Sequence, residues 1–80
     1  MKARVFVNLK PSILDPQGKT IAEALRTLGY AAVQDVRQGK YFELDVDAAS
    51  AAEARTLAAE VADRLLANPV IESYRVEVDG

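Results

Sequence analysis

Apolar and polar residues alternate from Arg4 to Leu9, with Val5, Val7 and Leu9 on one side and Arg4, Phe6 and Asn8 on the other. A period of two over so short a run predicts a half-buried strand. Pro11 cannot continue a ladder, so Lys10–Leu14 reads as a connector. Asp15-Pro16-Gln17-Gly18 then opens a helix: Asp15 can accept from the unpaired N–H groups of the first turn, and Pro16 suits the first helical position. Ile21, Ala24, Leu25 and Leu28 follow at helical spacing as one apolar stripe, and Gly29 supplies a left-handed stop.

Val33–Arg37 and Tyr41–Asp47 predict two further strands joined by a tight turn at Gln38-Gly39. In the second of them Phe42, Leu44 and Val46 share one face, and Glu43, Asp45 and Asp47 the other. Ser50-Ala51-Ala52-Glu53 is a capping box, and the helix it starts is expected to turn Ala54, Leu57, Ala58, Val61 and Leu65 inward. Asn68-Pro69 ends that helix, because the residue before proline avoids helical backbone. From Ser73 to Asp79 alternation returns, with Tyr74, Val76 and Val78 against Arg75, Glu77 and Asp79. The predicted order is β-α-β-β-α-β. With right-handed crossovers this gives a ferredoxin-like α+β fold, a four-stranded antiparallel sheet with both helices on one face.

Length allows one domain, spanning 1–80. A chain of this size buries only about 60% of its unfolded surface, so it gains from association. One sheet face is expected to stay open and to show Arg4, Phe6, Asn8, Tyr41 and Glu43, which are the candidates for self-association. The net charge of −2 argues against nucleic acid as the main partner. The chain has no cysteine and no histidine, so thiolate chemistry, disulfides and the commonest neutral-pH base are all missing. No apolar run approaches the roughly 20 residues that cross a bilayer, and the N-terminus reads as a strand rather than a secretory leader. The expected location is cytoplasmic, without membrane attachment.

Few motifs invite a sharper chemistry. Glu43, Asp45 and Asp47 stand about 7 Å apart along one strand face. A metal site or a carboxylate pair is one reading; pairing with Lys2 and Arg4 on the neighbouring strand is the better one, so no catalytic or metal-ligating residue is assigned. Val5–Leu9 and Gly39–Phe42 faintly echo an RNA-recognition module, which would stack bases on Phe6 and Tyr41. Acidic neighbours on the same face oppose phosphate. An amino-acid-sensing domain of the same topology is a further alternative, but no glycine-rich loop follows the first strand. Ile13, Leu14, Val70 and Ile71 lie in connectors, where apolar residues suggest a satellite core or a protein contact.

Val7-Asn8-Leu9-Lys10-Pro11, Leu14-Asp15-Pro16-Gln17-Gly18, Ala24–Gly29, Val36–Lys40 and Leu65–Tyr74 together resemble the PurS family, the small subunit of phosphoribosylformylglycinamidine synthase, over nearly the whole chain. The resemblance implies the ferredoxin-like fold, a homodimer or homotetramer, and a structural place between a synthetase (PurL) and a glutaminase (PurQ) in purine biosynthesis. It implies that ATP and magnesium are used by the synthetase and that this chain binds no cofactor. The absence of a thiol and an imidazole agrees that no glutaminase dyad resides here. Candidate contacts with those partners are Lys10; the loop at Asp15, Gln17 and Gly18; the basic turn Arg37, Gly39 and Lys40; and the connector Asn68, Pro69, Val70, Ile71 and Glu72. The helix N-terminus at Asp15–Gly18 could favour an anion nearby, although Asp15 opposes it.

Overall fold

A computed structural model describes residues 1–79. Strand β1 (Lys2–Leu9) is followed by helix α1 (Pro16–Thr27), strand β2 (Gly39–Asp45), helix α2 (Ala51–Val61) with a π-helical extension (Ala62–Leu66), and strand β3 (Glu72–Val78). The strands form a three-stranded antiparallel sheet in the order β2-β1-β3. Lys2 lies opposite Asp45, and Asn8 opposite Gly39 and Ser73, so β1 is paired along almost its whole length on both sides.

The expected fourth strand is missing. Residues 33–37 form no strand, and no hairpin turn joins them to β2. Part of the backbone around them is taken up by α1 and its cap instead. Arg26 donates from Nη2 to the Gln34 carbonyl at 3.1 Å, and the Gln38 N–H donates to Asp15 Oδ2 at 2.7 Å. The Gly18 Cα packs so closely on Val36 that an added methyl would strike the Val36 carbonyl oxygen. Peptide groups committed in this way cannot build a ladder.

The second departure concerns the helices. Only α2 covers the sheet, packing on β1 and β3, while α1 makes no substantial contact with any strand. The arrangement of both helices on one face is therefore not found. The molecule is long, with extents of 50 × 25 × 14 Å and a radius of gyration of 15.9 Å, against about 12 Å for a compact domain of this length. Helix α1 and its flanking loops project as an arm.

The core consists of Ala3, Val5 and Val7 of β1 against Ala54 and Ala58 of α2 and Ala62 of its extension, with Val46 and Ala67 at its margins. Phe42, Leu44, Leu66, Val76 and Val78 pack around it, half-buried. Leu57 and Leu65 do not point inward as expected; they are 43% and 80% exposed. The π-turn explains Leu65. The Ala67 N–H donates to the Ala62 carbonyl five residues back, at 2.9 Å. This widening delays the inward position by one residue, to Leu66.

The caps follow the sequence closely. Asp15 accepts from the Gly18 N–H at 2.9 Å, and Gly29 has φ of +100° just past the end of α1. Ser50 Oγ accepts from the Glu53 N–H at 3.2 Å, while Glu53 Oε2 reaches back to the Ala49 N–H at 3.3 Å rather than to Ser50. The Asn68–Pro69 bond is trans.

Candidate partner interface

Strand β1 ends where β2 and β3 begin, and at that end of the sheet three connections meet with the first turn of α1 and the first residues of β2 and β3. They carry all the candidate partner contacts. Lys10 binds the 68–72 connector twice: its N–H donates to the Ile71 carbonyl at 2.8 Å, and its Nζ to the Pro69 carbonyl at 2.9 Å. Arg37 Nη2 donates to the carbonyls of Lys10 and Ile13 at 3.0 and 2.9 Å. The guanidinium thus pins the loop after β1. This role has no local signal in the sequence, because the bonds span 27 and 24 residues.

Asp15 is the centre of this end. Its carboxylate is buried and accepts from the backbone of Gln38 and of Gly18. Those two N–H donors, helped by the nearby Arg37 charge, hold the Asp15 carboxyl below its usual range despite the opposing cost of desolvation. An ionised Asp15 also answers the question of anion binding, since a buried carboxylate already occupies this helix N-terminus. Asp15, Gln17, Gly39, Lys40 and Glu72 line a shallow cleft of about 220 Å³ with Leu9 and Gln38.

The 68–72 connector closes on itself. The Asn68 carbonyl accepts from the N–H groups of Ile71 and Glu72 at 3.2 and 2.7 Å, and Asn68 Oδ1 accepts from the Val70 N–H at 3.1 Å. The Glu72 carboxylate accepts from the Asn68 N–H at 2.7 Å and faces Lys40 Nζ at 3.7 Å. This leaves Val70 displayed, 77% exposed, with Ile71 half-buried beneath it. Leu14, 72% exposed, is a second apolar residue displayed in a connector of this region.

The open face of the sheet is built differently. Phe6 and Tyr41 stack at 5.0 Å between ring centroids with a 36° tilt, and the Arg75 guanidinium lies 4.4 Å from the Phe6 centroid. Tyr41 Oη donates to Glu43 Oε1 at 3.0 Å, and Lys2 Nζ lies 3.4 Å from Glu43 Oε2. Arg4 contacts Asp79 at 2.8 Å and Glu77 at 3.6 Å. Charge pairing was expected here, but its partners differ. Arg4 turns to β3 and Asp79 rather than to Asp45 or Asp47, and among the described residues only Glu43 of the acidic trio is engaged. The hydrogen bond from Tyr41, followed by that from Lys2, lowers the Glu43 carboxyl, and the bond from Arg4 lowers Asp79. Burial first, and then Glu43, raise the Tyr41 phenol. Three carboxylates beside the aromatic pair make this face a poor platform for nucleic acid. Among the described residues, no helix is long and apolar enough to cross a membrane.

The family model for PurS, phosphoribosylformylglycinamidine (FGAM) synthase, matches residues 2–80. The chain belongs to the PurS family. It is 49% identical over 78 residues to the PurS subunit of phosphoribosylformylglycinamidine synthase from Bacillus subtilis (strain 168), covering 98% of this chain and 92% of that protein. The PurS subunit of Archaeoglobus fulgidus is 42% identical, over 95% of each chain. Solved PurS structures have the same architecture. That of B. subtilis superposes with a TM-score of 0.87 at 48% identity, covering 99% of this chain and 98% of the other. PurS of Methanocaldococcus jannaschii gives 0.89 at 35% identity, covering 98% and 94%. The chain is equally similar, at 0.87 and 33% identity, to a chain in a PurLQS structure from Thermotoga maritima, with 95% and 93% covered. The projecting arm thus fits folds that PurS proteins adopt in experiment.

Proposed function

We propose that this chain is the PurS subunit of phosphoribosylformylglycinamidine synthase and acts in purine biosynthesis by position, not by chemistry. The observation that carries the reading is the match along the whole chain to PurS subunits, one of them in a structure with PurL and PurQ. In this reading the synthetase partner uses ATP and magnesium, and the glutaminase partner releases ammonia. The small subunit fixes one site relative to the other, so that ammonia is transferred locally instead of being lost to solvent. The chain works as a cytoplasmic homodimer or homotetramer.

The end of the sheet described above is the surface offered to those partners. Arg37 is less suited to direct contact than its charge suggests, because its guanidinium already holds the loop after β1. Val70, exposed beside the Pro69 carbonyl that Lys10 holds, is the better contact. For self-association, the open face is the weaker of two candidates: its charges are largely paired within one chain. The apolar arm is the stronger one.

Reconstitution tests the assignment. Purified PurL and PurQ should form product from glutamine only when this chain is added, and Val70→Asp should weaken co-purification with them. If product forms equally well without the chain, the assignment fails.

A further inference from the structure

Lys10 joins two groups of bonds that lie far apart in sequence. On one side its carbonyl accepts from Arg37 Nη2 at 3.0 Å and from the Ile13 N–H at 2.9 Å. On the other, its N–H donates to the Ile71 carbonyl at 2.8 Å, which continues the β1–β3 ladder by one pair, and its Nζ donates to the Pro69 carbonyl at 2.9 Å. Among the described residues neither Lys10 nor Arg37 forms an ion pair. Both cations are turned on peptide carbonyls instead.

The two carbonyls that Lys10 holds stand on either side of Val70. Every peptide unit around that residue is bonded. The unit before it uses the Pro69 carbonyl for Lys10 Nζ and the Val70 N–H for Asn68 Oδ1. The next gives its Ile71 N–H to the Asn68 carbonyl, and the one after gives its Glu72 N–H to the same carbonyl and its own carbonyl to Lys10. Val70 therefore cannot turn without breaking a bond, yet its side chain is 77% exposed. The bonds from Asn68 are internal to the connector and set its shape. Those from Lys10 come from the end of β1 and set where that shape stands on the sheet.

We infer that Lys10, anchored by Arg37, is the positioning residue of the partner contact: it fixes the backbone on both sides of Val70 and does not meet the partner with its charge. The inference deepens the proposed subunit role and rests on the reading of Val70 as the contact. A loop that is mobile before association loses that freedom on binding, whereas a loop already fixed has less to lose. To reach a carboxylate on a partner, either cation would first have to leave the carbonyls it holds, and those would lose their donors. The partner surface that fits is thus an apolar depression for Val70, with no acidic group needed opposite Lys10 or Arg37.

Lys10→Met keeps the alkyl stem and both backbone bonds and removes only the ammonium. In the full chain without partners, amide exchange at Val70, Ile71 and Glu72 should quicken at least about threefold while that of Ala58 holds. Binding to purified PurL and PurQ, followed by titration calorimetry, should weaken about three- to tenfold. In a Val70→Ala background the same change should cost less than about twofold, since the side chain to be positioned has gone. Lys10→Arg, which can still donate to the Pro69 carbonyl, should recover most of the loss. Equal losses in the two backgrounds overturn the inference, because they make Lys10 a contact in its own right. So do a loss that Lys10→Arg does not repair and exchange at 70–72 that Lys10→Met leaves unaltered. A parent chain that binds PurL and PurQ no better than Lys10→Met does removes the inference and leaves the subunit role standing. A parent chain that binds neither protein removes the role and the partner contact together, and faster exchange in Lys10→Met then shows only that Lys10 sets the connector.

Discussion

The two helices of this chain reverse the usual association between bulk and burial. Helix α1 carries the larger apolar side chains, Ile21, Leu25 and Leu28, and leaves Ile21 and Leu28 exposed and Leu25 only half-buried. Helix α2 and its extension bury alanines: Ala54, Ala58 and Ala62 are each 0% exposed, while Leu57 of the same helix is 43% exposed. Small side chains every four residues let the helix backbone approach Val5 and Val7 of β1 closely, and close packing of many weak contacts is what a core requires. The large residues of α1 are left without a packing partner among the strands. Apolar patterning alone thus does not say which helix packs on the sheet, and side-chain size separates the helix that does from the one that does not.

Reversing the sizes on α2 should break this comparison most severely. Ala58→Leu adds volume where none is free, and should cost about 1–3 kcal/mol. For a domain of this size that lowers Tm by roughly 4–8 °C per kcal/mol. Leu57→Ala, one residue away on the exposed side, should stay within about 0.5 kcal/mol. Thermal unfolding followed by circular dichroism measures both. If Leu57→Ala proved the costlier change, alanine would not be the packing residue of α2.

Most of the fold could be read from the residues because its determinants are local. The alternation in β1, the Asp15 and Ser50 caps and the Gly29 stop each act within a few positions. What could not be read depends on distant groups. Val33–Arg37 has the composition of a strand, but Gly18 and Arg26 claim its backbone from the preceding helix. Leu65 has the right spacing for the core until a π-turn shifts the phase to Leu66. The candidate interface was legible as a set of loops carrying unexplained Val70 and Ile71. The bonds that draw those loops together, Lys10 to the 68–72 connector and Arg37 to the loop after β1, have no sequence signature.

A smaller effect tests whether the arm is held by shape. In an exposed helix interior, glycine to alanine stabilises by up to about 1 kcal/mol. Gly18→Ala should show the opposite sign, because the new methyl collides with a backbone carbonyl that cannot swing aside like a side chain. The arm must shift, so trypsin should cut faster at Lys19 and Arg37 while amide exchange in α2 is unchanged. A higher Tm with unaltered proteolysis would mean that the contact between Gly18 and Val36 has room to spare.

The finest distinction between the helices is electrostatic, since α2 is held by packing and the root of α1 by a carboxylate. Asp15 is more acidic in the folded chain than in the unfolded one, where its pKa is about 3.9. A depressed native value means that its contribution is complete above the unfolded pKa and is lost as pH falls through the native one. Asp15→Asn keeps one acceptor oxygen but faces the second N–H with a donor, so the variant should melt several degrees below the parent at pH 7. That gap should hold down to about pH 5 and close below pH 4, as the parent's own carboxyl takes up a proton. Glu43 and Asp79, which also titrate low, are common to both proteins and cancel in the difference. Amide exchange at Gly18 and Gln38 should quicken over the same range while that of Ala58 does not. A gap that stays constant from neutral pH to pH 2 would show that the ionised clasp does not hold the arm, and that Asp15 contributes to α1 only as an uncharged cap.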